Sequence, residues 1–258
     1  MYDSGARWQY SLIPRFSTID PLAEKYYHLS PYAYCAGDPV NLVDPDGRKI
    51  IINDGIKTYT WKSIDDQWGF YDNEDNIYSG DLEYINEYSK ALIELLSTNT
   101  GKDIVTTLAN DEKFDVTLFS ILSLGNKYTP NGPNINWIYD ENLTKFIPTT
   151  NGPQKNIITS LGHELAHAVF QKEGGDWKTT WEPTLGVFVS ISEIYTTHIE
   201  NKIRSERGLP LRTHYLSDEN GYGIGKCLIK DGKSLFYNIN EETKFRRIYK
   251  GKDRYTYN

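Results

Sequence analysis

Apolar and polar residues alternate in several registers along this chain, and each register predicts an element. Lys49-Ile50-Ile51-Ile52 and Thr58-Tyr59-Thr60-Trp61 flank Asn53-Asp54-Gly55, a pattern that predicts a β-hairpin. Over 80–97, Leu82, Ile85, Tyr88, Leu92 and Leu95 recur at helical spacing, and a weaker helical pattern covers 101–110. Residues 114–119 alternate as a strand. A second strand over 135–139 sets Ile135, Trp137 and Tyr139 on one face and Asn136 and Ile138 on the other. Ile158, Leu161, Leu165 and Ala168 form one apolar stripe on a helix over 154–172, with Pro153 suited to its start and Gly174-Gly175 to its stop. Another helix runs over 189–207, ended by Gly208 and Pro210. In the tail, Leu228-Ile229 and Leu235-Phe236-Tyr237 surround Asp231-Gly232, which reads as a hairpin.

Residues 1–47 follow another rule. Asp20-Pro21, Ser30-Pro31, Asp38-Pro39 and Asp44-Pro45-Asp46-Gly47 punctuate them as turns between short strands. The chain therefore divides into a β-rich leader, 1–47, and a larger domain, 48–258, of α+β class: a small sheet with the 154–172 helix beneath it and the 189–207 helix beside that one.

Composition narrows the function. With 28 basic and 35 acidic residues the net charge is −7, which argues against nucleic acid or an anionic membrane as the main partner. The tail from 226 is locally basic, and a solvated edge hairpin accounts for it better than a nucleic-acid site. The two cysteines, Cys35 and Cys227, have no metal-type spacing and offer one disulfide at most. No apolar run is long enough to span a membrane, and Met1-Tyr2-Asp3-Ser4-Gly5 does not open a signal peptide.

The chemistry lies in His163-Glu164-Leu165-Ala166-His167. Residues i and i+4 stand one turn apart on one helix face, so both imidazoles can reach one Zn2+. Glu164 cannot share that direction, but it can take a proton from a water that zinc has acidified and pass it to a leaving amine. A catalytic zinc site has three protein ligands and an open position. The extension that supplies a third histidine is missing, since Phe170 and Glu173 stand where it needs glycine and histidine. A carboxylate is the alternative. Glu193, 26 residues beyond His167, is favoured, with Glu182 its main rival and Glu200 and Asp176 behind; Glu182 and Glu200 each read better as ordinary surface carboxylates than as ligands. His198, Arg212, His214 and Tyr215 are candidate donors to a transition-state oxyanion, and Arg204 and Arg212 are also placed to pair with Glu200 or Glu206. An exposed edge on strand 135–139 would accept a peptide as an added strand.

Two resemblances extend this reading. The run from Asp20 to Gly47, DPLAEKYYHLSPYAYCAGDPVNLVDPDG, resembles the end of the Rhs/YD-repeat-associated core that precedes variable C-terminal toxin domains. This implies a carrier shell upstream, export by a dedicated secretion system and self-cleavage by an aspartate pair that Asp20 and Asp44 would match. The segments LGHELAHA, SEIYTTHIENKIR and GLPLRTHY resemble effector-type HExxH metallopeptidases. That resemblance implies a zincin-like, gluzincin-type fold with His163, His167 and Glu193 on zinc, and marks Asn201, Arg204, Arg212 and Tyr215 as motif residues. The resulting expectation is a zinc endopeptidase toxin tip that acts on a target-cell protein, with Glu164, Tyr215, Arg212 and His198 in catalysis and a cognate immunity protein as partner. The alternatives are a non-catalytic, zinc-pinned interaction module and a zinc amidase acting on a non-protein amide.

Overall fold

The computed structural model describes residues 2–3, 8–9, 49–111, 114–130, 132–175, 178–184, 187–238 and 253–257, with backbone alone at 2–3, 8–9, 182–184 and 187–188. The chain forms two compact units, Met1–Gly47 and Arg48–Asn258. In the first, the described residues make one antiparallel pair, β1 (Tyr2–Asp3) with β2 (Trp8–Gln9). Asp20, Asp44, Cys35 and the run from Asp20 to Gly47 lie outside the described residues.

The second unit is mixed α and β. A meander of β3 (Ile50–Asn53), β4 (Thr58–Ile64) and β5 (Gln67–Tyr71) leads into helices α1 (Glu83–Leu96) and α2 (Asn99–Ala109). The chain then returns as β6 (Val116–Phe119), β7 (Lys127–Thr129) and β8 (Asn134–Asn136). These strands make a six-stranded sheet in the order β5-β4-β3-β6-β8-β7, parallel at β3/β6 and β6/β8 and antiparallel elsewhere. β5 carries no turn signal of the Asn-Gly kind. It is turned back instead by Asp65 and Asp66, both at positive φ, 48° and 63°, the left-handed conformation that a tight hairpin demands and that aspartate tolerates.

Alternation along each strand points Ile50, Ile52, Tyr59, Trp61, Val116, Leu118 and Ile135 to one face, where they meet the helices in a single apolar core. Two buried side chains lock that arrangement. Tyr88 of α1 donates to the carbonyls of Phe119 and Ile135 at 2.9 and 3.2 Å, which ties the helix to the ends of two parallel strands. Trp137 Nε1 donates to the Ile157 carbonyl at 2.9 Å and so fixes the start of the next helix.

That start is later than Pro153 suggests. Pro153 sits in a hairpin of β9 (Ile147–Thr149) and β10 (Gly152–Gln154), and α3 runs Ile157–Lys172 with Asn156 as its cap, accepting from the Thr159 N–H. Gly174, at φ 81°, ends it. A hairpin of β11 (Thr180–Thr184) and β12 (Val187–Ser190) follows, so α4 begins at Ser192, not 189, and ends at Glu206. α3 and α4 pack closely: a methyl on Gly162 would stand 2.7 Å from Ile203 Cδ1.

Beyond α4, β13 (His214–Ser217) pairs with β14 (Gly223–Cys227). β15 (Ile229–Lys230), β16 (Lys233–Asn238) and β17 (Arg254–Thr256) form a three-stranded sheet over a second apolar cluster that includes Ile194, Phe236 and Tyr257. Cys227 is a free thiol. Among the described residues, no helix is long and apolar enough to cross a membrane.

Candidate metal centre

His163 and His167 lie one turn apart on the face of α3 that meets α4, and both are buried. Glu193, in the first turn of α4, comes between them. Its Oε2 is 3.1 Å from His163 Nε2 and 3.2 Å from His167 Nε2. Ligand atoms of the three residues all lie within 4.8 Å of one another, and among the described residues no fourth histidine, cysteine or carboxylate joins them. Two imidazole nitrogens and one carboxylate oxygen are the donor set that suits a tetrahedral zinc with one open position.

The electrostatics suit a cation as well. Burial disfavours a charged His163, yet carboxylates at both ring nitrogens outweigh it and raise its pKa to about 9. Burial likewise works against the Glu193 carboxylate, and the two histidines more than offset this and hold it well below the usual carboxylate range. Glu164 is buried on the same helix. Burial pushes its pKa up, partly opposed by His163 and His167. A carboxylate in this position is a stronger base than one in water.

Each remaining candidate has a definite place. Tyr215, half-buried on β13, neighbours Glu193 and Glu164. Burial, then the charge of Glu193, raises its phenol well above the ordinary value, so it stays a donor. Arg212 is engaged within the protein by all three guanidinium nitrogens. Its Nη1 bonds Glu200 at 2.8 Å, its Nη2 the Tyr215 carbonyl at 2.9 Å and its Nε the His214 carbonyl at 3.1 Å. His198 does not belong to the site. It lies two residues from Glu200, about 200° round the helix, with its Nδ1 2.7 Å from the Tyr257 hydroxyl and its ring stacked on Tyr237. Burial lowers its pKa to about 3. His214 contacts Thr213 Oγ1 at 3.0 Å.

Glu200 is neither a surface carboxylate nor a member of the ligand group. It is 1% exposed and lies 3.2 Å from His163 Nδ1, across the ring from Glu193. Arg204 and Arg212 both pair with it, while Glu206 accepts from the Thr100 N–H at the start of α2. Glu182 lies on β11 and Asp176 outside the described residues. Thr196, fully buried with its Oγ1 3.1 Å from His163 Nε2, is a site residue that sequence reasoning missed; its spacing of three from Glu193 was the available signal. The expected open edge at 135–139 is also corrected. β8 is interior, and the edge strand is β7, whose Tyr128 lies against His167.

No family model matches the chain, and no curated protein or solved structure matches it.

Proposed function

We propose that this chain is a zinc-dependent endopeptidase, the toxin tip of an Rhs-type carrier. The observation that carries the enzymatic part is the convergence of His163, His167 and Glu193 beside the buried Glu164. Zinc, when bound, supplies Lewis acidity, acidifying a water to a pKa near 7 and polarising a carbonyl. His163, His167 and Glu193 would hold it. Glu164 takes the proton of the attacking water and hands it to the departing amine. Tyr215 donates its O–H to the oxyanion of the tetrahedral intermediate. An extended peptide adds to the free edge of β7 by main-chain hydrogen bonds, which favours a protein substrate. The three-ligand set favours an enzyme over a zinc-pinned interaction module, which would close the fourth position with protein.

Delivery rests on the resemblance of the run from Asp20 to Gly47 to an Rhs core. It carries the upstream shell, a dedicated secretion route, action inside a target cell and a cognate immunity protein. The test is metal analysis of the purified chain together with a proteome-wide cleavage screen. The expected result is one zinc per chain and new peptide termini. The Glu164→Gln variant should keep zinc and lose roughly 10²–10⁴-fold in rate. A chain without zinc, or full activity in that variant, would refute the reading.

A further inference from the structure

We propose that Glu200 and Arg212 are positioning residues that align a metal ligand and the Tyr215 segment through one shared carboxylate oxygen. The proposal deepens the zinc-peptidase reading and rests on it. Glu200 Oε2 lies 3.2 Å from His163 Nδ1 and accepts from Arg212 Nη1 at 2.8 Å, while its Oε1 accepts from Arg204 Nε at 2.8 Å. A carboxylate held between two buried guanidiniums can only accept, so the one hydrogen that a neutral, metal-binding His163 keeps sits at Nδ1. That leaves Nε2, the nitrogen facing Glu193 and His167, for the metal, and it fixes the plane of the ring.

Arg212 carries the same constraint outward. Its Nη2 bonds the Tyr215 carbonyl, its Nε the His214 carbonyl, and its guanidinium carbon lies 5.3 Å from the centre of the Tyr215 ring. Asn201, one residue beyond Glu200 on α4, clamps the Arg212 backbone at both its N–H (2.6 Å) and its carbonyl (2.9 Å). Ligand and oxyanion donor come from different elements, and this bridge joins them.

The test uses the full chain loaded with zinc, its histidines labelled with ¹⁵N, together with chelator competition on Glu200→Gln and Arg212→Lys. In the wild type, His163 should show a protonated Nδ1 and a metal-bound Nε2. Glu200→Gln should weaken zinc about 10–100-fold, and Arg212→Lys should weaken it in the same direction while shifting the Tyr215 ring resonances. Metal binding through His163 Nδ1, or a zinc affinity within about twofold of wild type in both variants, would overturn the positioning role and leave the zinc site standing. A wild-type chain that takes up no zinc would instead overturn the underlying reading. Should Glu200→Gln fail to fold, the wild-type spectrum and Arg212→Lys still decide.

Discussion

Tyr128 lies parallel to His167, with ring centroids 5.8 Å apart and planes 8° apart, so an edge strand of the sheet rests directly on a residue of the candidate metal centre. Its hydroxyl also donates to Gln171 Oε1 at 2.6 Å, one turn further along α3. Strand and helix are thus joined at two points. Tyr128→Phe keeps the stack and should cost only about 1 kcal/mol. Tyr128→Ala loses the ring as well and should cost a further 0.5–1.5 kcal/mol or more. Denaturant unfolding of both variants measures the difference, and equal losses would show that the stack contributes nothing.

Among the described residues, Glu193 is the sole carboxylate that meets both imidazole Nε2 atoms. Glu193→Ala should therefore weaken zinc by more than the roughly 10–100-fold that loss of a residue behind the ligands costs. Competition against a chelator of known affinity measures this. Unchanged retention would move the third ligand elsewhere, with Glu182 the first place to look.

Tyr215 stands beside Glu193 and Glu164 without belonging to the ligand set. Tyr215→Phe should lower kcat by about 10²–10³-fold with KM and zinc content little changed, because the lost hydrogen bond forms only as the oxyanion develops. A matching rise in KM would mean that the hydroxyl serves substrate binding instead.

The fold itself makes a prediction at Tyr88, whose hydroxyl serves the carbonyls of both Phe119 and Ile135 in a fully buried place. Tyr88→Phe removes one oxygen and takes one donor from each carbonyl, while the Phe119 carbonyl keeps the Trp137 N–H at 3.2 Å, so it should cost about 1 kcal/mol, with no change in zinc affinity. Thermal unfolding together with metal titration separates the two effects.

What could be read from the sequence follows how local each feature is. His163 and His167 are set by a four-residue spacing within one helix, and Glu193 by a helix placed to fold back on it. Asn201, Arg204, Arg212 and Tyr215 cluster in sequence, yet their division of labour does not show there. Glu200 illustrates why: on a helix surface it is indistinguishable from Glu206 until α3 and β13 close over it. His198 misleads for the complementary reason, being close in sequence to site residues but on the opposite side of the helix. The edge strand is misassigned because strand order in a sheet is decided by pairing between distant segments. β5 escapes because two aspartates, with no glycine, make its turn.

His198 gives the domain a pH dependence of its own. It is buried against Tyr237, Tyr255 and Tyr257, and its pKa in the folded protein is about 3, lowered first by burial and then by Lys202. In the unfolded chain it titrates near 6.5. The folded pKa is thus the lower one. Above about pH 6.5 the residue is neutral in both states, and its effect on stability does not change with pH. As pH falls below that, only the unfolded chain takes up the proton, and stability drops by up to about 1.4 kcal/mol per pH unit until about pH 3. Between pH 7 and pH 5 this amounts to about 2 kcal/mol. His198→Asn retains an acceptor for the Tyr257 hydroxyl and has no proton to gain. Its stability at pH 7 should be lower through lost packing, but its loss between pH 7 and pH 5 should be smaller than that of the wild type by about 2 kcal/mol. Denaturant unfolding of both proteins at the two pH values checks this, and parallel losses would mean that His198 takes up a proton while still folded.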